Sequence, residues 1–301
     1  MNDYKKLFRS AKLRHRILRF FAFIPDYWML CIQYRIKLGR WPNLRNPHRF
    51  TEKLQLYKMN YRNPIIHQCV DKYAVREFVK SKGFESILNK LYGVYNETDE
   101  IKFNLLPNQF VMKTTNGGGS LNVIICRDKS NFNINDAKKK LGDWKCKIKA
   151  YDGGREWAYK GIEPKIIVEE YLENVENPEA GINDYKFFCF DGKPYCLVVD
   201  VNRYVNHKRN FYDMEWNFIN INSDHENVGD TISKPNAFER MVKIASKLSE
   251  GFPFVRVDLY CNQDEVRFGE LTFYPWSGYV QFNPDEFDFE LGKQFELPHN
   301  S

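Results

Sequence analysis

The stretch Phe254–Phe273, FVRVDLYCNQDEVRFGELTF, contains two runs of alternating apolar residues joined by a short polar turn at Asn262. Side chains two residues apart in a strand share a face, so Arg256 and Asp258 project to the same side. The hairpin brings Glu270 across to them from the second strand. Two carboxylates beside an arginine can bind a Mg²⁺ ion that bridges nucleotide phosphates. The alternative is that these three residues form charge pairs on an exposed sheet face. Their apolar neighbours do not decide between the two interpretations.

A second strand–turn–strand pattern lies upstream in Gln109–Asp128, QFVMKTTNGGGSLNVIICRD. Three glycines, Gly117–Gly119, and Ser120 follow the first run, which Lys113 nearly ends. A tight hairpin needs one or two residues at positive φ rather than three glycines. The loop therefore suits close approach to a ligand, with Lys113 meeting a phosphate that backbone N–H groups cover. The pattern is neither a P-loop nor a dinucleotide fingerprint; an ordinary mobile hairpin tip is the alternative.

Composition restricts the classes of protein to consider. The 301 residues are 43% hydrophobic and 28% charged, which is typical of a soluble globular protein with one large domain or several lobes. The net charge of +6 favours anionic ligands such as nucleotides, phosphates or uronates, and is too small to indicate nucleic acid. Seven cysteines without a CxxC spacing predict reduced core thiols of a cytoplasmic protein, and no His/Cys cluster has zinc spacing.

The N-terminal segment is basic and apolar together. Arg19, Pro25 and Asp26 interrupt its apolar run, so no span of roughly 20 apolar residues could cross a membrane. No small-residue cleavage site indicates a signal peptide. The pattern predicts an amphipathic helix that either packs on the main body or, through residues 1–40, contacts the inner face of an anionic membrane peripherally. We favour packing on the body, since any surface helix shows such a pattern.

Short helices and strands alternate along the chain, which predicts an α+β fold with antiparallel sheets. Helices are expected over 71–83, 134–150 and 236–251, the first and last stopped by glycine. A hairpin is expected over 184–201, with its turn at Asp191.

Charged residues within and after this hairpin are candidates for binding a second substrate. Asp184 and Lys186 share a strand face, and Lys186 is a candidate catalytic cation. Arg203, Lys208 and Arg209 form a basic cluster that suits a carboxylate or a phosphate, since guanidinium groups bind carboxylates at two points. A solvated basic loop is the alternative.

Six segments come in an order that resembles one family. They are DKYAVREFVKSKG (71–83), VMKTTNGGGS (111–120), IIVEEYLEN (166–174), DYKFFCFDGKP (184–194), FVRVDLY (254–260) and FGELTFYPWSG (268–278). Over roughly residues 50–298 the chain resembles ATP-grasp enzymes of the teichuronopeptide-biosynthesis, or TupA-like, type from bacterial surface-polysaccharide gene clusters.

The resemblance implies an ATP-grasp fold in which two α+β lobes clasp ATP behind a basic helical extension. The expected parts are a basic helical segment (1–60), a small N-terminal lobe (61–105), a lid subdomain (106–168) and a C-terminal subdomain with the metal site (169–301).

It also implies roles for individual residues. Those expected to contact ATP are Lys72, Lys113, the lid residues Gly117, Gly118, Gly119 and Ser120, and the adenine-binding connection Glu169, Glu170, Tyr171 and Leu172. Asp258 and Glu270 would hold Mg²⁺, and Arg256 would steady the transferred phosphate. Thr272 stands where many relatives carry asparagine; its hydroxyl is a poorer Mg²⁺ ligand than an amide oxygen.

The implied activity is an ATP-dependent carboxylate–amine ligase that works through an acylphosphate. The carboxylate would belong to a uronic acid of a capsule or O-antigen glycan and the amine to an amino acid; the reverse assignment is equally open. A glycosyltransferase is the main alternative, although the chain has no DxD motif. A sugar kinase or a non-catalytic nucleotide-binding module on the same fold also remains open.

Overall fold

The computed structural model describes residues 21, 23–116, 122–147, 154–174 and 177–298, without the side chains of Cys146 and Lys147. The predicted lid residues Gly117–Ser120 and the basic segment before position 21 lie outside these ranges.

A six-stranded antiparallel sheet forms the larger lobe. Its strands are β5 (Asp184–Phe190), β6 (Lys193–Val201), β7 (Lys208–Asp213), β8 (Phe218–Ile219), β9 (Phe254–Asn262) and β10 (Glu265–Thr272). Their order across the sheet is β10-β9-β5-β6-β7-β8. Because β9 pairs with β5 as well as β10, both predicted hairpins lie side by side and their polar residues share one face.

Both hairpins turn where the sequence predicts. Asp191 and Gly192 join β5 to β6 with φ of 47° and 76°, and Gln263 and Asp264 join β9 to β10 with φ of 48° and 66°. Two successive residues at positive φ give a turn whose twist matches that of the flanking strands.

A four-stranded antiparallel sheet forms the smaller lobe. Its strands are β1 (Leu91–Tyr95), β2 (Phe110–Thr114), β3 (Val123–Cys126) and β4 (Ile166–Glu169), in the order β1-β4-β2-β3. Strands β2 and β3, which flank the predicted glycine loop in the sequence, pair antiparallel from Phe110↔Cys126 to Lys113↔Val123. Strand β1, from the segment expected as a separate small lobe, pairs with β4 in this sheet. The domain boundaries at 60, 105 and 168 stay a prediction.

Seven α-helices lie in the described part of the chain. They are α1 (Asp26–Leu38), α2 (Phe50–Asn60), α3 (Ile65–Val70), α4 (Val75–Ser81), α5 (Ile134–Lys147), α6 (Phe238–Ser249) and α7 (Glu286–Gln294). Helices α4 and α6 confirm two of the three helix predictions and end near glycines at φ of 84° and 88°. Helix α5 confirms the third as far as it is described. No helix among the described residues is both long and apolar enough to cross a bilayer.

The cores follow the two sheets. The larger core joins the inner face of the six-stranded sheet to α2, α3, α4, α6 and α7, and the smaller core lies between the four-stranded sheet and α5. Five of the described cysteines are buried, four of them in these cores, at 69, 126, 189 and 196, and the fifth, Cys31, in α1. The alternative of a solvated basic loop after β6 does not hold for Lys208 and Arg209, because Lys208–Asp213 forms β7 beside β6.

Candidate active site

A cavity of about 520 Å³ lies between the two sheets. Its walls come from β2, β3 and the connection after β4 on one side, and from β5, β6, β9, β10 and the turn after β10 on the other. The predicted site residues that line it are Lys72, Lys113, Glu170, Tyr171, Leu172, Asp184, Lys186, Arg203, Arg209, Arg256, Asp258, Glu270 and Thr272. Most of the predicted set is thus brought together from both lobes.

The small-sheet end of the cavity has an apolar wall. Val111 of β2 and Val123 and Ile125 of β3 supply it, and the connection Glu170–Leu172 closes the side. The connection leaves β4 directly, and the Glu170 backbone N–H donates to the Lys90 carbonyl at 2.9 Å. An apolar wall beside a connecting backbone segment is the arrangement that suits a nucleobase.

Two lysines reach the cavity from different elements. Lys113 Nζ lies 2.6 Å from Glu169 Oε2, and Arg76 Nη1 lies 3.2 Å from the other oxygen of that carboxylate. Burial opposes the charge on Lys113, but Glu169 outweighs it and raises the pKa of the ammonium. Lys72 Nζ lies 3.7 Å from Glu270 Oε2. Glu169, predicted to bind ATP, therefore anchors Lys113 behind the cavity wall and does not line the main cavity.

The predicted metal carboxylates face each other across β9 and β10, where Asp258 and Glu270 are cross-strand partners. Arg256 donates to both oxygens of Asp258, from Nε at 2.7 Å and from Nη2 at 2.6 Å. Arg256 Nη2 also lies 3.7 Å from Glu270 Oε1. The Thr272 hydroxyl lies 3.1 Å from the same Glu270 oxygen. These four side chains form one compact charged group on the cavity floor.

The two carboxylates differ in their acidity. Burial raises the pKa of Asp258, although Arg256 and Lys186 oppose that effect. Burial acts in the same direction on Glu270, but Lys72, Arg256 and Lys186 outweigh it and hold its pKa at about 2. Glu270 is therefore the more permanent negative charge at neutral pH.

The donor atoms here suit Mg²⁺, a hard cation that takes carboxylates together with phosphate oxygens and water. Within the described ranges no three His, Cys, Asp or Glu side chains lie close enough to hold a metal by themselves. Two carboxylates are sufficient where substrate phosphates complete the shell, provided that Arg256 releases Asp258. Asp258 and Glu270 would hold the ion, with the Thr272 hydroxyl beside them.

The far end of the cavity is a chain of ion pairs along the large sheet. Lys186 contacts Asp184 and lies 3.5 Å from both Asp200 and Asp258. Arg203 Nη1 lies 3.1 Å from Asp184. Arg209 holds Asp200 at 2.6 Å and 3.0 Å. These cations and carboxylates alternate across β9, β5, β6 and β7, so charge is balanced locally.

One candidate of the basic cluster points elsewhere. Lys208 precedes Arg209 in β7, so its side chain lies on the opposite face of the sheet. Its ammonium is 2.5 Å from Glu226, whose side chain is 85% exposed, and it does not line the cavity. Arg209, in contrast, is buried on the cavity side.

Several cavity residues carry no prediction from the sequence, among them Asp200, His207 and Trp276. Asp200 lies near the end of a mostly apolar strand, and a charge placed in such a run could have indicated an inward-facing site. His207 Nε2 lies 3.1 Å from Asp200 Oδ1. Trp276 has a φ of 51°, and the guanidinium carbons of Arg209 and Arg256 lie 5.3 Å and 5.9 Å from its ring centre. No local signal in the sequence predicts that His207 and Trp276 line the cavity, because both residues lie on loops.

A buried lysine fixes the turn that carries Trp276. Lys58 of α2 donates to the carbonyls of Ser277 at 2.9 Å and Gly154 at 3.1 Å. Burial lowers the pKa of Lys58 and raises that of nearby Glu156, while the pair attract each other. The lysine thus ties the chain at Gly154 to the turn after β10.

The arrangement can therefore position a polyanion against lysines and a carboxylate pair, next to a second compartment that is rich in paired charges. A family model described as TupA-like ATPgrasp matches residues 52–296. No protein with a curated functional description matches the sequence.

Solved structures give weaker likenesses. D-alanine–D-alanine ligase from Helicobacter pylori is 18% identical, with a TM-score of 0.41 over 78% of this chain and 60% of that one. The same enzyme from Bacillus anthracis is 17% identical, with a TM-score of 0.40 over 68% and 57%. N5-carboxyaminoimidazole synthetase from Staphylococcus aureus, complexed with ADP, is 13% identical, with a TM-score of 0.44 over 77% and 53%. The chain spans less than two thirds of each of these structures.

Proposed function

Because the chain belongs to the TupA-like ATP-grasp family, we propose that it is an ATP-dependent carboxylate–amine ligase that forms an amide through an acylphosphate. The observation that carries the proposal is the meeting of Lys72 and Lys113 with Arg256, Asp258 and Glu270 around one cavity. Cations and metal-binding carboxylates from both lobes at one place are what phosphoryl transfer requires.

In the proposed reaction the residues chiefly position groups and balance charge. Lys72 and Lys113 bind the phosphates, and Arg256 offsets the charge that develops on the transferred phosphoryl group. Mg²⁺, when bound, would neutralise phosphate oxygens and align them for in-line transfer. Lys186 holds Asp184, Asp200 and Asp258 in register at the junction of the two compartments. The lid glycines would cover the phosphates and exclude water from the acylphosphate.

The substrates we propose are a uronic acid of a bacterial capsule or O-antigen glycan, which supplies the carboxylate, and an amino acid, which supplies the amine. Arg203 and Arg209 support a carboxylate-bearing ligand at the far end of the cavity, since arginine binds carboxylates in a two-point fashion. Trp276, between two arginines, adds an aromatic surface on which a sugar ring can stack.

We also propose that the protein is cytoplasmic and contacts the membrane peripherally through its N-terminal residues. Helix α1 exposes an apolar row spaced by four residues: Trp28 is 59% exposed, Ile32 37% and Ile36 50%. Basic residues are frequent in the sequence just before it. An exposed apolar face next to positive charge suits an anionic lipid surface.

The experiment that tests the ligase measures ADP release from Mg-ATP with a panel of hexuronates, with and without each amino acid. ADP release that requires both a carboxylate and an amine supports the proposal. ADP release with a sugar alone, with a stable phosphate on the product, would identify a kinase instead. Tight ATP binding without any ADP release would contradict the ligase and leave a nucleotide-binding module.

A further inference from the structure

Two carboxylates lie side by side at the far end of the cavity. Asp184 of β5 and Asp200 of β6 are direct cross-strand partners, and both line the cavity. Their side chains are 4% and 2% exposed. Directly opposed residues of an antiparallel pair have side chains about 5 Å apart, so one small group can meet both.

Asp184 has an unsatisfied acceptor. Its Oδ2 receives Lys186 and Arg203, but Oδ1 is buried and has no hydrogen-bond donor among the residues that the structure describes. A buried carboxylate oxygen without a donor costs roughly 1–3 kcal/mol, so such an atom calls for a ligand that brings an N–H or O–H. The unfilled position therefore indicates a donor group in the cavity beside β5.

His207 supplies a base at the same place. It lines the cavity, its side chain is 24% exposed, and its Nε2 lies 3.1 Å from Asp200 Oδ1. If Nε2 carries the proton that faces this carboxylate, Nδ1 is the basic nitrogen. The contact lacks hydrogen-bond geometry among the described residues, so the carboxylate acts on the imidazole through its charge at 3.1 Å.

We propose that Asp184 and the Asp200–His207 pair form the subsite for the amine co-substrate, in which Asp184 accepts an N–H from the incoming ammonium group and His207 removes the proton that makes its nitrogen nucleophilic. This inference rests on the proposed ligase function. It separates the cavity into a nucleotide end near β2 and β3 and an amine end along β6 and β7.

The step balances as RCO–OPO₃²⁻ + R′–NH₃⁺ → RCO–NHR′ + HPO₄²⁻ + H⁺. His207 takes one ammonium proton and later releases it to solvent. The amine nitrogen then forms the C–N bond with the acyl carbon, and the C–O bond to phosphate breaks. The second proton leaves with the phosphate as HPO₄²⁻.

The surroundings of His207 allow it to take this proton. Asp200 of β6 and Asp224, from the segment after β8, favour its charged form, while Arg209 of β7 opposes it. The ring of His225 lies tilted against that of His207, with 3.7 Å between the ring centres. Burial lowers the pKa of His225, which disfavours a second positive charge beside His207.

The test compares two nucleophiles that differ in protonation. Wild type and His207→Gln are assayed at neutral pH with Mg-ATP and glucuronate, or whichever hexuronate supports ADP release. The nucleophile is either the amino acid, whose amine is protonated, or hydroxylamine, whose nitrogen is already neutral. We expect His207→Gln to slow amide formation from the amino acid by about 10²- to 10⁴-fold and to leave hydroxamate formation within about threefold. We also expect added imidazole to restore amide formation in His207→Ala.

The control is His48→Gln, at an exposed histidine away from the cavity, which should leave both rates unchanged. Melting temperatures of all variants verify their folding. Equal loss with both nucleophiles, or full retention of both, would overturn the assignment of His207. A wild-type protein that forms neither amide nor hydroxamate would instead refute the ligase, and this inference with it.

Discussion

Arg256 holds Asp258 by both carboxylate oxygens although the two residues are only two positions apart in β9. Their side chains are 9% and 3% exposed, so water screens the pair little. The strand pleat puts them on one face, and the carboxylate expected to bind a metal is thereby neutralised in advance. Neither charge is tolerated at this depth without the other.

Replacing Arg256 by methionine should therefore destabilise the fold by about 3–5 kcal/mol, because it leaves Asp258 buried and unpaired. Urea unfolding monitored by fluorescence measures the change. Adding Asp258→Asn in the same chain should recover part of the loss. Arg267→Met, which breaks a surface pair with Glu265, is the control and should cost no more than about 1 kcal/mol; equal losses at the two arginines would contradict the prediction.

Lys113→Ala and Glu270→Ala should each lower ATP turnover by at least about 10²-fold while the protein stays folded, because the first removes a phosphate-binding cation and the second a proposed Mg²⁺ ligand. ADP release with the active substrate pair gives the rates. Lys208→Ala removes a lysine that pairs with an exposed glutamate outside the cavity, and its turnover should match that of wild type. Wild-type rates in either cavity variant would refute the site.

Burial lowers the pKa of Lys58, and this shift makes the free energy of unfolding depend on pH. Between this lowered pKa and the unfolded value of about 10.4, the unfolded chain binds more protons than the native one. The free energy of unfolding should therefore gain a contribution that rises with pH, by at most about 1.4 kcal/mol per pH unit. Urea unfolding from pH 7 to about 9.5 should show this slope in wild type relative to Lys58→Met.

The comparison variant for this slope is Lys243→Met, at an exposed lysine of α6. It should keep the pH dependence of wild type, since this variant leaves the buried Lys58 ammonium in place. A Lys58→Met protein that retains the full slope would show that the buried ammonium is not its source.

Replacing Trp28, Ile32 and Ile36 together by glutamate should weaken pelleting with vesicles of phosphatidylglycerol and phosphatidylcholine by about tenfold or more, because it removes the apolar row of α1. Leu105→Glu, at a residue 73% exposed elsewhere, should bind as wild type does. Unchanged pelleting of the triple variant would rule out α1 as the contact. Such a result would indicate that the apolar row contacts another protein or the chain's own first residues instead of a membrane.

Local signals in the sequence predicted the individual helices, strands and turns. The order of the strands in the sheet depends on pairing between distant segments, which no local signal predicts. The turns at Asp191 and Gln263 depend on neighbouring residues alone, so both hairpins could be predicted. The pairing of β5 with β9 joins segments about 70 residues apart. No local pattern specifies it, although it brings Lys186 to Asp258.

The residues of the candidate site likewise fall into those that a local motif predicts and those that only the folded chain brings together. Among the described residues, the site candidates within the family motifs line the cavity, apart from Glu169, which lies behind it. Strand β7 was missed because its polar letters, KRNFYD, hide the alternation that turns Arg209 inward and Lys208 outward. His207 could not be assigned at all, since its role depends on Asp200 of a different strand.

The charges of the cavity are matched before any ligand arrives: Lys113 with Glu169, Arg256 with Asp258, Arg209 with Asp200. The cations that an incoming polyanion contacts are therefore already paired with carboxylates. The polyanion binds by displacing those carboxylates rather than by attraction to unpaired positive charge. Each carboxylate that a phosphate displaces becomes available to a cation. Nucleotide and divalent metal should for this reason bind cooperatively, each releasing the partner that the other needs.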